Sequence, residues 1–408
     1  MISIAVLGHG VVGSGVVEVL STNQASIAKK ANQPITVKRI LDLRSFPELP
    51  YADKFTTNFD DILNDSEISV VVETMGGLHP AYDYAKAALS AGKSVVTSNK
   101  ELVAAKGDEL LALAREQKVN FLFEASVGGG IPIIRPLHQC LAANEITEIA
   151  GILNGTTNFM LTKMVQEGMS FEQALALAQQ LGYAERNPAA DVEGMDACRK
   201  ICILASLAFG KHIYPDQVHT EGITRLTAAD VRCADALGCV IKLIGKARRT
   251  QNGVQCLVAP MLVSKTSLLS GVSDVFNAVL ARGNAVGDVV FYGRGAGKLP
   301  TASAVVADVI DAVKHAANPK DISWDSAAPN YVEDSAKEEF SYLLRFETEQ
   351  KAALTTRLTE LFGELTVIDG AKTEVAVATA PLSETELSSS LSALTEATPV
   401  SCLRIASL

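Results

Sequence analysis

Asp196 and Lys200 stand four residues apart in a stretch, 194–209, whose other side chains include Ile201, Ile203, Leu204 and Leu207. On a helix that spacing puts carboxylate and ammonium on one face. A solvated ion pair accounts for the spacing alone. A lysine on a helix that is apolar round much of its circumference, however, needs a partner or a task. Burial or a cationic neighbour lowers a lysine pKa, and such a lysine can handle the proton of a hydroxyl. Lys100 is a second candidate, following Thr97-Ser98-Asn99 at the end of an apolar run. Its simpler reading is a solvated lysine that opens a helix. A third constellation is Gly8-x-Gly10-x-x-Gly13, at the mouth of the apolar run 2–7. Strand, glycine turn and helix in that order suit a bound dinucleotide. Gly8 permits the tight turn, Gly10 lets backbone approach a pyrophosphate, and Gly13 lets helix pack closely on strand. The helix start at Val11 and Val12 then turns free N–H groups and a positive dipole end toward the phosphates.

These residues need a scaffold that brings them together. Strand-like runs at 2–7, 35–41, 69–73, 94–97 and 119–123 alternate with helical stretches at 14–30, 59–64, 80–91 and 101–117. Such alternation predicts a parallel sheet covered on both faces, with ligands beyond the carboxyl ends of its strands. Gly76-Gly77 and Lys100 fall at those ends. The middle of the chain predicts helices at 158–167, 170–181 and 194–209 and β-rich stretches around 219–226, 240–249 and 254–263. A glycine-rich turn at 292–297 then precedes an apolar helix at 301–317 that is expected to return to the first unit. Asn154-Gly155-Thr156-Thr157-Asn158 reads as a turn and helix N-cap, with hydroxyls that suit a carboxylate. A linker over 318–336 leads to strand 340–347, helix 350–362, strands 365–369 and 373–379, helix 383–394 and strand 400–406. That order is a ferredoxin-like βαββαβ unit.

The fold class expected is therefore α/β. A Rossmann-type parallel-sheet domain takes 1–125 plus 301–325, an α+β substrate-binding and dimerisation domain takes 126–300, and a small βαββαβ domain takes 338–408. The strands of the middle domain lack an obvious cover, so a homodimer pairing sheets across its axis is expected. The chain has 408 residues, 48% of them hydrophobic, and a net charge of −10. That charge argues against a nucleic-acid partner. No apolar run reaches the length of a membrane span, and the opening strand lacks the basic leader of a signal peptide. The seven cysteines are scattered and fit reduced thiols in a cytoplasmic protein. Cys198 and Cys202, four apart, read as small buried thiols rather than metal ligands, because no histidine lies nearby to complete a site.

Seven segments taken together resemble the homoserine dehydrogenase family: GHGVVGSGV, ETMGG at 73–77, TSNKELVA at 97–104, EASVGGGIPIIRPL at 124–137, GILNGTTNFMLTKM at 151–164, LGYAERNPAADVEGMDACRK at 181–200 and YGRGAGKLPTASAVVADV at 292–309. The resemblance spans about residues 1–325. It implies NAD(P)-dependent interconversion of L-homoserine and L-aspartate 4-semialdehyde on the aspartate-derived route to threonine and methionine. It implies that Lys200 is the proton donor to the aldehyde oxygen, that Asp196 orients it, and that Lys100 lies near nicotinamide and substrate. It implies that Glu185 holds the substrate ammonium while Asp191 and Thr156 shape the pocket. Gly76, Gly182 and Gly295 join the dinucleotide contacts. A sodium-type cation is implied on the backbone carbonyls of Glu124, Val127, Gly129 and Ile131. Two lysines beside one carbonyl would each depress the other's pKa.

Three departures stand out. His9 replaces an apolar residue in the phosphate loop and is expected to face solvent. After the second strand, Asp42 suits the ribose hydroxyls of NAD while Arg44 suits a 2′-phosphate, leaving NAD or NADP open. The C-terminal unit resembles an ACT-type regulatory module, but its first loop, Glu347 to Leu354, lacks the usual aspartate and glycine, so an amino-acid effector stays open. Two alternatives remain: another Rossmann oxidoreductase acting on an amino-acid semialdehyde, and a non-catalytic dinucleotide and amino-acid sensor. The former in its phosphorylating form needs a reactive cysteine in a polar pocket, which no cysteine here has. Retention of both lysines counts against the latter.

Overall fold

The computed structural model describes residues 1–368 and 373–408. The chain opens β1 Ile2–Leu7, α1 Val11–Thr22, α2 Gln24–Ala31, β2 Ile35–Leu41, β3 Phe55–Thr56, α3 Asp60–Leu63, β4 Ile68–Glu73, α4 Ala81–Ser90, β5 Ser94–Thr97, α5 Lys100–Gln117 and β6 Phe121–Leu122. The six strands form one parallel sheet in the order β3-β2-β1-β4-β5-β6. The order reverses between β1 and β4, which opens a crevice beyond their carboxyl ends. Register lines up that edge: Leu7 pairs with both Leu41 and Glu73, and Glu73 pairs with Thr97. The turns after β1, β2, β4 and β5 therefore share one rim. The expected single helix 14–30 is two, because the chain turns at Asn23 between α1 and α2.

The second part runs β7 Ile146–Ile152, α6 Gly155–Glu167, α7 Phe171–Gln180, α8 Ala189–Val192, α9 Met195–Phe209, β8 His219–Thr220, α10 Ala228–Ala236, β9 Cys239–Arg249, β10 Val254–Ser264, β11 Phe276–Gly283 and β12 Gly287–Arg294. Then come α11 Lys298–Lys314, β13 Val332–Glu333, β14 Glu339–Glu347, α12 Lys351–Phe362, β15 Leu365–Ile368, β16 Glu374–Thr379, β17 Leu382–Ser383, α13 Glu384–Ser392 and β18 Ser401–Ala406. The expected strand 365–369 ends at Ile368 among the described residues; its last position lies outside them.

Sequence patterning missed β7, β11 and β12. Glycines in or at the ends of them (Gly151, Gly283, Gly287, Gly293) interrupt the apolar pattern that marks a strand. The glycine turn expected at 292–297 instead begins inside β12. The β-rich stretch at 219–226 reduces to the two-residue β8, and α10, opened by a Thr227–Asp230 capping box, was not anticipated. Helix α11 packs against α1 so closely that a Cβ on Gly15 would lie 2.9 Å from the Lys298 carbonyl oxygen.

The C-terminal strands run β18-β14-β16-β15, antiparallel throughout, which is the ferredoxin-like order. They are continuous with the middle strands: β18 pairs parallel with β10, Met261 opposite Arg404. The face expected to lack a cover is covered within the chain. Ala150, Ile152, Ile244, Leu257, Ala278 and Leu280 lie in one buried cluster with Tyr342, Leu344, Phe346 and Val377, as well as Leu354 and Leu358 of α12 and Leu387 of α13. No helix among the described residues is long and apolar enough to cross a membrane.

Candidate active site

Helix α9 starts at one left-handed glycine, Gly194, and ends at another, Gly210. Between them it is buried on nearly every side, so Asp196 and Lys200 sit in the interior at 3% and 7% exposure. Lys200 Nζ donates to Asp196 Oδ2 and to the carbonyl of Leu153, both at 2.8 Å. Helix α5 crosses α9 and brings Lys100, its first residue, onto the other oxygen of the same carboxylate, Oδ1. Two ammonium groups from different helices thus share Asp196.

Asn154, at the end of β7, completes the cluster. Its Oδ1 caps α6 through Thr157 N at 2.8 Å. Its amide nitrogen donates to Asp191 Oδ1 at 2.7 Å and Asp196 Oδ2 at 2.8 Å. The N-cap was legible from Asn-Gly-Thr-Thr; the bridge between two carboxylates was not, since no pattern encodes where an amide's second end points.

These contacts decide the charges. Burial lowers the Lys200 pKa, the Asp196 carboxylate opposes the shift, and the Lys100 charge adds to it. For Lys100, burial acts downward but the charge and hydrogen bond of Asp196 outweigh it, so its pKa is raised. The expectation that each lysine depresses the other therefore holds for Lys200 only. The physical reason is depth: both lysines touch the Asp196 carboxylate, which outweighs burial for the more open Lys100 but not for the more deeply buried Lys200. Burial would lift Asp196, but the two ammonium groups hold it well below the usual carboxylate range. Asp191 goes the other way, raised by burial and by the negative charge of Asp196.

The remaining candidates spread outward. Thr156 Oγ1 donates to the carbonyl of Tyr183 at 2.7 Å, tying α6 to the 181–187 loop. Glu185 is exposed on that loop, and its carboxylate has no partner among the described residues. Gly182 supplies the left-handed residue after α7. Gly295 is buried against Asn277, whose amide nitrogen a Cβ there would meet at 2.0 Å.

At the other end of the crevice the glycine loop carries the packing that its spacing requires. Gly8 is left-handed, and a Cβ on Gly13 would lie 1.9 Å from the Gly8 carbonyl oxygen, whereas one on Gly10 would meet nothing within 4 Å. Val11, first in α1, is 67% exposed with Val12 half-buried beside it. A cavity of about 470 Å³ is bordered by Gly8, Gly10, Asp42, Arg44, Thr74 and Tyr84, and Gly76, left-handed, lies in the turn after β4. These residues fit a dinucleotide: open backbone at the helix start and room beside it.

Asp42 is already engaged. Oδ1 accepts Arg44 N at 2.9 Å and Nε at 3.0 Å; Oδ2 accepts His9 N at 2.7 Å and Arg44 Nη2 at 2.9 Å. His9 does not face solvent. Its ring is edge-on to Phe46, Tyr51 and Phe55 at 5.0, 5.8 and 5.1 Å, and it is 7% exposed. Three aromatics within ten residues, Phe46, Tyr51 and Phe55, are the sequence signal for that enclosure.

The loop after β6 is fastened by Glu124, whose carboxylate accepts the N–H groups of Ile133, Ile134 and Arg135 at 2.6, 2.8 and 2.9 Å. The carbonyls of Val127, Gly129 and Ile131 are on buried residues and accept no hydrogen bond among the described residues. Backbone oxygens so placed suit a hard monovalent cation. No group of three or more His, Cys, Asp or Glu side chains among the described residues is arranged to hold a metal, and all seven cysteines are free.

A doubly wound parallel sheet, a glycine loop at its switch point and a lysine–carboxylate–lysine cluster across the crevice define a dinucleotide-dependent oxidoreductase. Residues 8–124 match the family model "Homoserine dehydrogenase, NAD binding domain" and residues 132–310 match "Homoserine dehydrogenase". The homoserine dehydrogenase of Pseudomonas aeruginosa is 46% identical over 314 residues, 77% of this chain and 72% of that one. A crystal structure of a homoserine dehydrogenase from Thiobacillus denitrificans superposes with a TM-score of 0.90 at 38% identity, covering 99% of this chain and 98% of that one. A hyperthermophilic archaeal homoserine dehydrogenase in complex with NADPH superposes at 0.65 and 27% identity, covering 76% and 97%. The chain belongs to the homoserine dehydrogenase family and is an oxidoreductase with a nicotinamide-dinucleotide binding domain. Neither the phosphorylating nor the sensor alternative is favoured.

Proposed function

We propose that Lys200 is the proton-transferring group for the L-homoserine/L-aspartate 4-semialdehyde reaction. The carrying observation is the shared carboxylate. Asp196 keeps Lys200 able to hold a proton in a site where burial works to remove it, so Lys200 donates to the aldehyde oxygen in reduction and accepts from the hydroxyl in oxidation. Lys100 keeps its charge and polarises that oxygen. Asp191 and Thr156 shape the pocket, and Glu185 receives the substrate ammonium when the 181–187 loop meets it. The bound nicotinamide supplies hydride acceptance and donation, held through Gly8, Gly10, Val11, Val12, Gly13, Gly76, Gly182 and Gly295.

The engaged Asp42 carboxylate favours NADP as the preferred dinucleotide: its oxygens are taken, and the Arg44 guanidinium beside them is 62% exposed. A sodium-type ion on the carbonyls of Glu124, Val127, Gly129 and Ile131 is part of the reading. Residues 1–125 with 301–325, then 126–300, and 338–408 are its three units, the last an ACT-type module with no effector assigned. The free edge at β12 is where a second copy would pair to give a homodimer. The setting is the cytoplasm and the role is threonine and methionine synthesis. Replacing Lys200→Ala tests the core of this: turnover is lost in both directions while dinucleotide affinity stays within about twofold. Retained turnover contradicts it.

A further inference from the structure

Glu73, the last residue of β4, is fully buried, and no cationic side chain pairs with it among the described residues. Neutral donors hold its carboxylate. Met75 N and Gly76 N donate to Oε1 at 2.7 and 3.4 Å, and Thr97 Oγ1 donates to Oε2 at 2.5 Å. The donors come from two turns. Met75 and Gly76 follow β4; Thr97 ends β5 and opens the turn into Lys100.

The same turns are cross-linked again, by Asn99 Nδ2 to the Gly77 carbonyl at 2.6 Å and Ser98 N to the Glu73 carbonyl at 3.3 Å. Thr97 Oγ1 also accepts Asn99 N at 2.9 Å, and Asn99 Oδ1 caps α5 through Leu102 N at 3.1 Å. Lys100 is the first residue of that helix. A buried carboxylate without a counter-charge is unfavourable, and burial raises its pKa. A hydrophobic residue there would avoid the cost but could not bind both turns.

We propose that Glu73 is a positioning residue whose carboxylate fixes the 97–100 turn against the 74–77 turn and so sets where the Lys100 ammonium meets Asp196 and the substrate. This deepens the reading of Lys100 above and rests on it. In the full-length enzyme Glu73→Ala is expected to lower kcat for homoserine oxidation about 30-fold, with the homoserine KM moving less than about threefold. Glu73→Gln restores kcat to within about threefold of the parent, because its amide still accepts from Met75 and Gly76 and donates to Thr97 Oγ1. In a Lys100→Ala background Glu73→Ala adds less than about twofold; losses that multiply overturn the proposal. Should Glu73→Ala not fold, Thr97→Val cuts the same bridge without emptying the core. It is expected to lower kcat about fivefold in the parent and not at all beside Lys100→Ala, and parent-like kcat overturns the proposal. Full turnover by Lys100→Ala alone removes the reading of Lys100 itself, a distinguishable result.

Discussion

Lys200 in the crevice and Lys242 on β9 are buried to comparable depth, at 7% and 4% exposure. Lys200 has a carboxylate. Lys242 has only neutral acceptors, the carbonyl of Val272 and Asn158 Oδ1, and burial pushes its pKa down to about 8. The contrast separates two effects that act together in the active site. Burial alone drives an ammonium toward neutrality, and a paired carboxylate restores its hold on the proton. An acid–base group must both hold and release, so the crevice needs the carboxylate and the sheet face does not.

The same substitution at each lysine sharpens the contrast most. Lys200→Met is expected to cost about a thousandfold in kcat, whereas Lys242→Met leaves kcat within about twofold in the same steady-state assay. The next effect concerns stability. Between about pH 8 and the ordinary lysine value of 10.5, the unfolded chain keeps a proton that folded Lys242 has released. Stability to denaturant therefore rises with pH across that window, and the burden is full below it. It amounts to at most about 3.5 kcal/mol, at about 1.4 kcal/mol per pH unit. Lys242→Met should flatten that rise in urea melts and gain about 1–3 kcal/mol at pH 7; an unchanged slope would show that Lys242 is not the group responsible. Smallest is Glu185→Gln, which takes away a charge with no partner among the described residues. It should raise the homoserine KM about tenfold with kcat nearly unchanged; a fall in kcat alone would place Glu185 in the chemistry instead.

What the sequence disclosed follows the same division. The first sheet was readable because a buried parallel strand is a plain apolar run, and the Gly8-x-Gly10-x-x-Gly13 spacing has one packing explanation, now visible at Gly13. Asp196 and Lys200 were readable because charge on an otherwise apolar helix stands out. Neither signal is as plain for β7, β11 and β12, where Gly151, Gly283, Gly287 and Gly293 and charged or polar residues such as Glu148, Asn277 and Asp288 break up the apolar residues. Lys242 went unnoticed because a lysine in a strand gives no hint of which face it occupies. The cover of the second sheet could not be read either, since members of its one buried cluster, such as Ala150 and Leu354, stand some 200 residues apart in the chain. Likewise Lys100 and Asp196 meet through the crossing of α5 and α9, 96 residues apart, and spacing along the chain carries no trace of that contact.

The pH dependence of homoserine oxidation in the parent and in Asp196→Asn tests the shared carboxylate most directly. In the parent, kcat should rise with pH along a limb below the ordinary lysine range, as Lys200 becomes free to take the hydroxyl proton. Asp196 is what raises the Lys200 pKa against burial, so removing its charge should move that limb to lower pH even as the maximal rate falls. A limb that stays in place or moves to higher pH would contradict the assignment of Asp196 and Lys200.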